Sequence, residues 1–115
     1  MLPKINRIKK KKDFEIIFKE GASFKNNLLI LKVLKNNLDQ NRVGFVVSQK
    51  VSKKATIRNK IRRRLVEAIK IHIEKIEAGK DLVFIVLSGA AKSNFFEVKK
   101  AADNILNKAK LIKNV

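Results

Sequence analysis

The densest group of charged side chains in this 115-residue sequence lies at residues 58–64, where five of the seven residues are cations. The same stretch keeps Ile57, Ile61 and Leu65 at four-residue spacing, which predicts a helix with one apolar face. Arginine keeps its charge and offers a planar fork of donors that can grip two phosphate oxygens. A helix that buries one side and carries arginines beside it is therefore predicted to hold an anionic partner in a fixed geometry.

The polar side chains of this predicted helix divide between two of its sides. At about 100° of rotation per residue, four of them fall on the arc next to the apolar face, where packing can fix their stems: Arg58, Asn59, Arg62 and Arg63. Asn59 adds a group that can bond a phosphate, a 2′-hydroxyl or a base edge. Lys60 and Arg64 fall on the opposite flank, where they are expected to add only long-range electrostatic attraction.

A basic run on a helix is in most proteins simply a solvated face, and this alternative stays open. Against it, Lys50, Lys53 and Lys54 extend the run on its N-terminal side, and no acidic residue follows before Glu67. Calmodulin-binding and membrane-surface helices share the basic amphipathic pattern, but both fit poorly with a helix that lies between strands. A second basic cluster covers residues 4–12, and a flexible arm with only non-specific attraction is an equally good interpretation of it.

The overall balance of charge points to the same class of partner. The sequence has 28 Lys and Arg residues against 10 Asp and Glu, a formal net charge of +18, and such a charge opposes compaction by self-repulsion. Nucleic acid is the expected partner, with an anionic membrane surface as the second choice. Because hydrophobic residues make up 45% of the sequence, a packed core is expected in preference to disorder. We predict a single RNA-binding domain over residues 1–115, with residues 1–10 as an extended basic arm.

Several function classes are disfavoured by what the sequence lacks. It has no cysteine, which excludes disulfides and cysteine-ligated metals. No apolar run is long enough for a signal peptide or a bilayer span, so a cytoplasmic location without a membrane partner is expected. The ten acidic residues are scattered without a metal-binding motif, and the single histidine, His72, is expected to be structural. We therefore predict no catalytic residue and no metal ligand on this chain, and any associated hydrolysis is expected on a partner.

Local patterns predict the elements that position these groups. Ser52 suits the N-cap of the basic helix and Gly79 its C-terminal end, while Asn94 and Glu97 resemble a capping box. In chain order we expect a helix at residues 11–20 that carries Phe14, Ile17 and Phe18, strands at 28–34 and 42–48, a helix at 52–78, a strand at 81–87, a loop from Ser88 and a helix at 94–110, with a further strand near Phe24 as an alternative. This order predicts an α/β sandwich, with helices stacked on a small mixed sheet.

Three blocks of the sequence resemble the protein component of bacterial ribonuclease P, in matching order and spacing. The blocks lie at residues 7–21, 42–50 and 58–68, and the third is similar to the arginine-rich motif helix of that family. The resemblance covers nearly the full chain. It implies an α+β fold of the ribosomal protein S5 domain 2-like class, with three helices on a four-stranded mixed sheet in the order αβββαβα. It also implies a left-handed βαβ crossover, which is rare.

The resemblance implies a function as well. The RNA subunit of ribonuclease P is expected to be the catalyst and to remove the 5′ leader of precursor tRNA with Mg²⁺ that the RNA holds. This chain is then expected to bind the catalytic RNA and the leader, to bind no cofactor of its own, and to be a monomer when free. The alternative is a ribosomal or general RNA-binding protein without a role in catalysis. A nuclease that acts without RNA is a third hypothesis.

The family's binding residues can be carried over to this sequence position by position. Lys60 departs from the motif by replacing an arginine, Val66 stands where a basic residue is common, and Gln49 stands where a lysine is frequent. Lys32 occupies a strand position that often carries an aromatic residue. Together with two lysines that precede the helix, the predicted RNA-binding residues are Lys53, Lys54, Arg58, Asn59, Lys60, Arg62 and Arg63. The predicted cleft for the leader consists of Phe14, Phe18, Lys32, Ser48 and Lys50.

Overall fold

Residues 7–112, the part of the chain that the computed structural model describes, form three α-helices, four β-strands and one short 3-10 helix. The first six residues of the predicted arm lie outside the described residues. The elements follow in the order α1 (Lys11–Glu20), β1 (Ala22–Lys25), β2 (Leu29–Lys35), β3 (Arg42–Val46), α2 (Ala55–Ile73), β4 (Lys80–Val86), the 3-10 helix (Ser88–Lys92) and α3 (Phe95–Lys108). The predicted succession is confirmed, and β1 confirms the alternative of a strand near Phe24.

The four strands form one mixed sheet in the order β1-β2-β4-β3. β2 pairs antiparallel with both β1 and β4, whereas β3 pairs parallel with β4. Parallel neighbours need a crossover connection, and α2 provides it between β3 and β4. Three helices on a four-stranded mixed sheet confirm the expected α+β fold, while the hand of the crossover stays a prediction.

Alternation of side chains along β4 gives the sheet two different faces. Leu82 and Phe84 turn to the face that α2 and α3 cover, where they join the larger buried core. Val83 turns to the opposite face and packs with Ile8 and Ile17. Coverage on both sides explains the continuous apolar run that predicted this strand. The ten-residue α1 covers only part of its own face. This α1 face keeps four half-buried positions on β2 and β4: Ile30, Lys32, Leu34 and Ile85.

The predicted start of α2 is wrong. The helix begins at Ala55 with Lys54 as its N-cap, and no side chain caps it. The Ser52 hydroxyl instead accepts a hydrogen bond from the N–H of Lys54 at 3.2 Å, in the turn that precedes the helix. A hydroxyl two residues before a free N–H can satisfy it within a turn, and this local bond competes with the capping role.

The predicted end of α2 is also wrong, since the helix stops at Ile73 and not at residue 78. The chain turns at this point and buries Ile76, whose exposed fraction is 5%. Gly79 therefore lies in the turn before β4 with a φ of +96°, in the region that favours glycine. Its carbonyl accepts the N–H of Asn36 at 2.9 Å. Burial of one isoleucine and pairing of the turn with the end of β2 outweigh the helical pattern of the sequence.

The remaining boundaries shift by a few residues or change type. β3 ends at Val46 and not at Ser48, and the segment predicted as a loop after Ser88 contains the 3-10 helix. The capping box of α3 is confirmed, because Asn94 Oδ1 accepts the N–H of Glu97 at 2.9 Å and Glu97 Oε1 accepts the N–H of Asn94 at 3.1 Å. The residues at the helix start therefore predicted the cap of α3 correctly and the cap of α2 incorrectly.

A fork of hydrogen bonds from Arg42 joins α1, β3 and β4. Its Nε donates to Asp81 Oδ1 at 2.8 Å and its Nη2 donates to Asp81 Oδ2 at 2.6 Å, while Nη1 lies 3.4 Å from Asp13 Oδ2. Asp81 is 4% exposed and also accepts a hydrogen bond from Asn36 Nδ2 at 2.8 Å. The hydrogen bond to Asp81 raises the pKa of Arg42, against a smaller lowering by burial. A partly buried ion pair stabilises a fold when its geometry is bidentate and its carboxylate oxygens are hydrogen-bonded. The pair of Arg42 and Asp81 meets both conditions.

The position of α1 is also fixed by close contact between Phe14 and Gly44. A Cβ atom at position 44 would lie only 2.6 Å from Cε1 of the Phe14 ring. The absence of a side chain on β3 therefore lets the ring lie directly against the strand. The next aromatic residue of the helix, Phe18, follows one turn later with its ring centroid 6.2 Å from that of Phe14.

We expect Asp81→Ala to lower the free energy of unfolding by about 3 kcal/mol, because it leaves the partly buried Arg42 with only its longer contact to Asp13. Urea denaturation followed by circular dichroism measures the change. Glu77→Ala is the matched control, since Glu77 is 90% exposed and lies 3.9 Å from Lys80. Equal denaturation midpoints for the two variants would contradict a stabilising role of the fork.

We expect Gly44→Ala to cost about 1–3 kcal/mol of stability, because the new methyl group overlaps the Phe14 ring. The cost should largely disappear when the substitution is made in a Phe14→Ala background, as a double-mutant cycle would show. Gly89→Ala serves as the control, since its nearest neighbour is the end of the Leu28 side chain at 3.3 Å. An equal cost with and without the Phe14 ring would show that a different neighbour is responsible.

Candidate nucleic-acid interface

Polar side chains of α2 line one side of a groove along the outer edge of β3. Asn59, Arg62 and Arg63 face this groove, and Phe45 and Val66 contribute apolar surface to it. The groove has a volume of about 840 Å³. Its other side is formed where residues 7 and 8 approach the strand, through a hydrogen bond from the N–H of Ile8 to the carbonyl of Val43 at 3.0 Å. The crossover thus places the basic helix next to an edge of the sheet.

We call Arg58, Asn59, Arg62 and Arg63 the arginine surface. Ile61 and Leu65 are buried to 2% and 0% exposure on the adjoining side of the helix, as their spacing predicted. Arg58 and Arg62 are half-buried at the border, whereas Asn59 and Arg63 are exposed. Within this surface Arg62 Nη1 donates to Asn59 Oδ1 at 2.8 Å, which orients both side chains.

Arg58 has a second task that the sequence pattern did not show. Its Nη1 donates to the carbonyls of Ser52 and Lys53 at 2.9 and 3.0 Å, so the guanidinium holds the turn before α2. Lys53 and Lys54 are exposed in that turn. Part of the donor set of Arg58 is therefore committed to the fold, and this arginine borders the groove without lining it.

Lys60 and Arg64 lie away from the groove, as the helical rotation predicted. Lys60 is exposed, and Arg64 Nη1 donates to the carbonyl of Ser93 at 2.7 Å. This bond ties α2 to the segment between the 3-10 helix and α3. Arg64 is therefore a structural cation. Lys60 is a predicted RNA-binding residue that does not line the groove with Arg62 and Arg63.

Acidic residues form no ion pair with the arginine surface in the described part of the chain. The ion pairs there join Arg42 to Asp13 and Asp81, His72 to Asp103, and Lys80 to Glu77. Glu67 lines the end of the groove and is exposed, but it belongs to none of these pairs. The positive charge of the α2 arginines is therefore available to a partner.

Arg7 borders the same groove and has a buried Nε without a hydrogen-bond partner. A buried donor left unpaired costs about 1–3 kcal/mol.

Three of the predicted cleft residues, Phe14, Phe18 and Lys32, lie on the α1 face, and the other two lie in the turn beyond β3. Phe18 is 40% exposed, while Phe14 is half-buried against Gly44. Lys32 stands opposite Val83 in the β2–β4 pairing, which places it on the same face. Ser48 and Lys50 are exposed in the turn beyond β3, where Ser48 Oγ accepts the N–H of Lys50 at 3.3 Å. The α1 face therefore offers an aromatic ring and a lysine on the same side of the sheet, with two polar residues in the turn beyond.

The one histidine of the sequence lies outside these surfaces and contacts an acid. His72 Nε2 lies 2.7 Å from Asp103 Oδ1 and joins α2 to α3, in keeping with its predicted structural role. Among residues 7–112 no three His, Asp or Glu side chains converge as a metal-binding group. In the same stretch no helix is both long and apolar enough to cross a membrane.

Phe45 and Val66 are parts of the groove that the sequence did not reveal. Phe45 stacks on Phe84, with ring centroids 5.8 Å apart and an interplanar angle of 19°, and remains half-buried. Val66 follows Arg62 and Arg63 by four and three positions, so helical spacing alone could have placed it on their arc. The contribution of β3 required knowledge of which strand forms the edge of the sheet.

Comparison with known proteins shows which family the chain resembles. The family model described as Ribonuclease P matches residues 2–110. The ribonuclease P protein component of Clostridium kluyveri is 39% identical over 111 residues, covering 95% of this chain and 98% of the relative. That of Clostridioides difficile is 40% identical over 102 residues, covering 88% and 89%.

Solved structures give the same result at the level of the fold. The RNase P protein of Staphylococcus aureus superposes with a TM-score of 0.87 at 32% identity, covering 94% of this chain and 98% of that one. The RNase P protein of Thermotoga maritima superposes with a TM-score of 0.79 at 32% identity, with the same coverage.

Proposed function

The chain belongs to the ribonuclease P protein family, and on this premise we propose that it binds the catalytic RNA of ribonuclease P and the 5′ leader of precursor tRNA. In this role it promotes Mg²⁺-dependent removal of the leader, while the RNA performs the hydrolysis. The observation that carries the proposal is the arginine surface, which stands on a buried helix and has no acidic partner among the described ion pairs.

The arginine surface suits a structured RNA because its geometry is fixed before binding. The stems of Arg58 and Arg62 are half-buried, and Arg62 is hydrogen-bonded to Asn59. Such side chains lose less conformational freedom on binding than a flexible basic tail would. Guanidinium groups contact phosphates, and the Asn59 amide can contact a 2′-hydroxyl or a base edge. The groove beside them gives room for an unpaired nucleotide, with Phe45 and Val66 as its apolar wall.

The α1 face suits a single strand better than a duplex. Phe18 offers an exposed ring on which a base can stack, and stacking of this kind is tolerant of sequence. Lys32 replaces the aromatic residue that is frequent in the family and offers a phosphate contact on the same face. Ser48 and Lys50 extend this path past the end of β3. We propose that the leader runs along this path.

Magnesium chemistry is proposed to depend on the RNA and not on this chain. Mg²⁺ prefers carboxylate, phosphate and water oxygens in an octahedral arrangement, and residues 7–112 bring no three acidic or histidine side chains together. The donor set of the described chain therefore does not fit a dedicated Mg²⁺ site. What the chain supplies is positive charge, which lowers the repulsion between RNA segments that must approach each other.

We expect Arg62→Ala with Arg63→Ala to weaken binding to the cognate catalytic RNA and to flatten its salt dependence, by roughly 0.7–0.9 in log-log slope for each phosphate that is no longer neutralised. Arg58 is left intact because its bonds to the Ser52 and Lys53 carbonyls would mix folding with binding. Fluorescence anisotropy over a series of salt concentrations measures the slope.

The control for this double variant is Lys70→Ala on the same helix, since Lys70 is exposed outside the groove. It removes a positive charge without touching the arginine surface. An unchanged slope in the double variant would remove both arginines from the interface.

We expect the wild-type protein to lower the Mg²⁺ concentration at which the catalytic RNA cleaves precursor tRNA. Phe18→Ala should then raise the KM for a precursor with a long leader by about fivefold or more, because aromatic stacking contributes about 1–3 kcal/mol per base. Mature-like substrates with a minimal leader should show no such change. Phe95→Ala is the matched control, since Phe95 is 43% exposed and Phe18 is 40% exposed.

The cleavage assay also separates the proposal from its alternative. If cleavage at low Mg²⁺ is equally fast with and without the protein, the proposed function is wrong and a general RNA-binding role remains. If the protein accelerates cleavage but Phe18→Ala behaves like Phe95→Ala, the leader path along the α1 face is wrong while the subunit role stands.

A further inference from the structure

Two adjacent phenylalanines in the first turn of α3 remain in solvent. Phe95 is 43% exposed and Phe96 is 69% exposed, the largest exposed fraction among the large hydrophobic side chains of the described residues. The helix fills the core without them, through Val98, Ala101, Ala102, Ile105 and Leu106. Packing therefore gives no reason for an aromatic side chain at position 96, and an exposed aromatic residue that packing does not require is a candidate contact residue.

Phe96 forms one wall of a surface groove between α3 and the turn that joins β1 to β2. The groove has a volume of about 420 Å³, and its apolar lining includes Leu28 and Ala101. Asn26 holds its two sides together: Nδ2 donates to the Ala101 carbonyl at 2.9 Å, and Oδ1 accepts the N–H groups of Leu28 and Leu29 at 3.0 and 2.9 Å. The groove is therefore formed before any ligand binds.

Amide side chains supply the polar part of this groove. Asn27 is exposed at its rim, and Asn104 Oδ1 accepts a second hydrogen bond from Asn26 Nδ2 at 3.1 Å. Because Asn104 Oδ1 accepts from Asn26, the amino group of Asn104 is the part that can donate to a ligand. Amides of asparagine pair with the edges of nucleobases, which carry donors and acceptors side by side.

A lysine lies beside the aromatic ring of the groove. Lys100 Nζ is 6.0 Å from the centroid of the Phe96 ring, one helical turn along α3. The acid in the groove lining, Glu97, accepts the N–H of Asn94 in the capping box and is committed to the helix start. An aromatic face beside a lysine, with amides opposite, matches the components of single-strand recognition.

From this combination we propose that the Phe96 groove binds single-stranded RNA, separately from the arginine surface and from the α1 face. A base stacks on Phe96, its edge pairs with Asn27 and Asn104, and Lys100 contacts the adjoining phosphate. The groove adjoins β1 and β2, while the arginine surface adjoins β3 at the other edge of the sheet. The two edges are three strand spacings apart, roughly 14 Å, so the groove contacts a different RNA segment.

A protein partner is a poorer fit to the same surface. A stable protein interface needs roughly 800 Å² per partner with an apolar centre. Here the apolar part consists of Phe96, Leu28 and Ala101, and three asparagines, Lys100 and Glu97 surround it. These groups match the parts of one nucleotide: the ring matches the face of a base, the amides match its edge, and the ammonium group matches the phosphate.

The test uses the whole chain with Phe18→Ala, Arg62→Ala and Arg63→Ala as the parent, so that the other two proposed RNA contacts are removed. Binding of fluorescein-labelled, unstructured oligouridylate is followed by anisotropy. Phe96→Ala should weaken the affinity about fivefold or more relative to this parent, and Phe96→Tyr should retain it because the ring is preserved. Phe95→Ala is the matched control and should bind like the parent, since Phe95 does not line the groove.

Salt dependence distinguishes the stacking contact from the phosphate contact. Lys100→Ala should flatten the log-log slope by roughly 0.7, the value for one phosphate contact on a single strand, whereas Phe96→Ala should lower the affinity at constant slope. The oligonucleotide contains neither the catalytic RNA nor a tRNA leader, so this result is independent of the proposed ribonuclease P role.

Equal affinities of the parent and Phe96→Ala would overturn the proposal. Sedimentation velocity of the protein alone supplies a second outcome of the same kind. If Phe96→Ala abolishes a self-association of the parent and leaves oligonucleotide binding unchanged, the surface is a contact between copies of the chain and not an RNA site.

Discussion

The bidentate contact between Arg42 and Asp81 is the constraint on which the rest of the site depends. Arg42 stands on β3, Asp81 on β4 and Asp13 on α1, so one guanidinium sets the position of a helix relative to two strands. With α1 held at this end of the sheet, the Phe14 ring meets the strand at Gly44, where no side chain is in the way. Phe18, one turn further, stays 40% exposed. The open α1 face is thus a consequence of where the short helix is anchored.

Four acidic residues in the described part of the chain stabilise contacts within the fold, and none of the described ion pairs reaches the arginine surface. Asp13 and Asp81 contact Arg42, Asp103 contacts His72, and Glu97 closes the capping box of α3. Each of these acids lies at a junction between elements or at a helix start, where a fixed negative charge stabilises the fold. A sequence with a net charge of +18 can thus keep ordered elements while its binding surfaces stay strongly positive. Self-repulsion between those surfaces is the cost, and a polyanionic partner offsets it.

The sequence predicted what local patterns determine and missed what distant residues decide. Spacing of Ile61 and Leu65 fixed the rotation of α2 and hence the arc of Arg62 and Arg63, which the structure confirms. The ends of α2 were wrong because burial of Ile76 and the turn at Gly79 depend on β2 and β4. The groove was missed for the same reason, since periodicity does not say which strand forms an edge. The order of the elements predicted a small mixed sheet, but the commitment to four strands came from family resemblance, because non-local pairing leaves little trace in a single sequence.

The same physical principle governs the arginine surface and the Phe96 groove, although one is mainly electrostatic and the other aromatic. In each, a hydrogen bond from within the protein orients the contact group before a ligand arrives: Asn59 orients Arg62, and Asn26 orients Asn104. In each, the helix that carries contact residues, α2 or α3, has a buried face that fixes its backbone. Because the arginine surface and the groove adjoin opposite edges of one sheet, their separation is set by the sheet and not by a linker. A rigid spacing of this kind selects RNA segments by the distance between them, which neither surface alone can do.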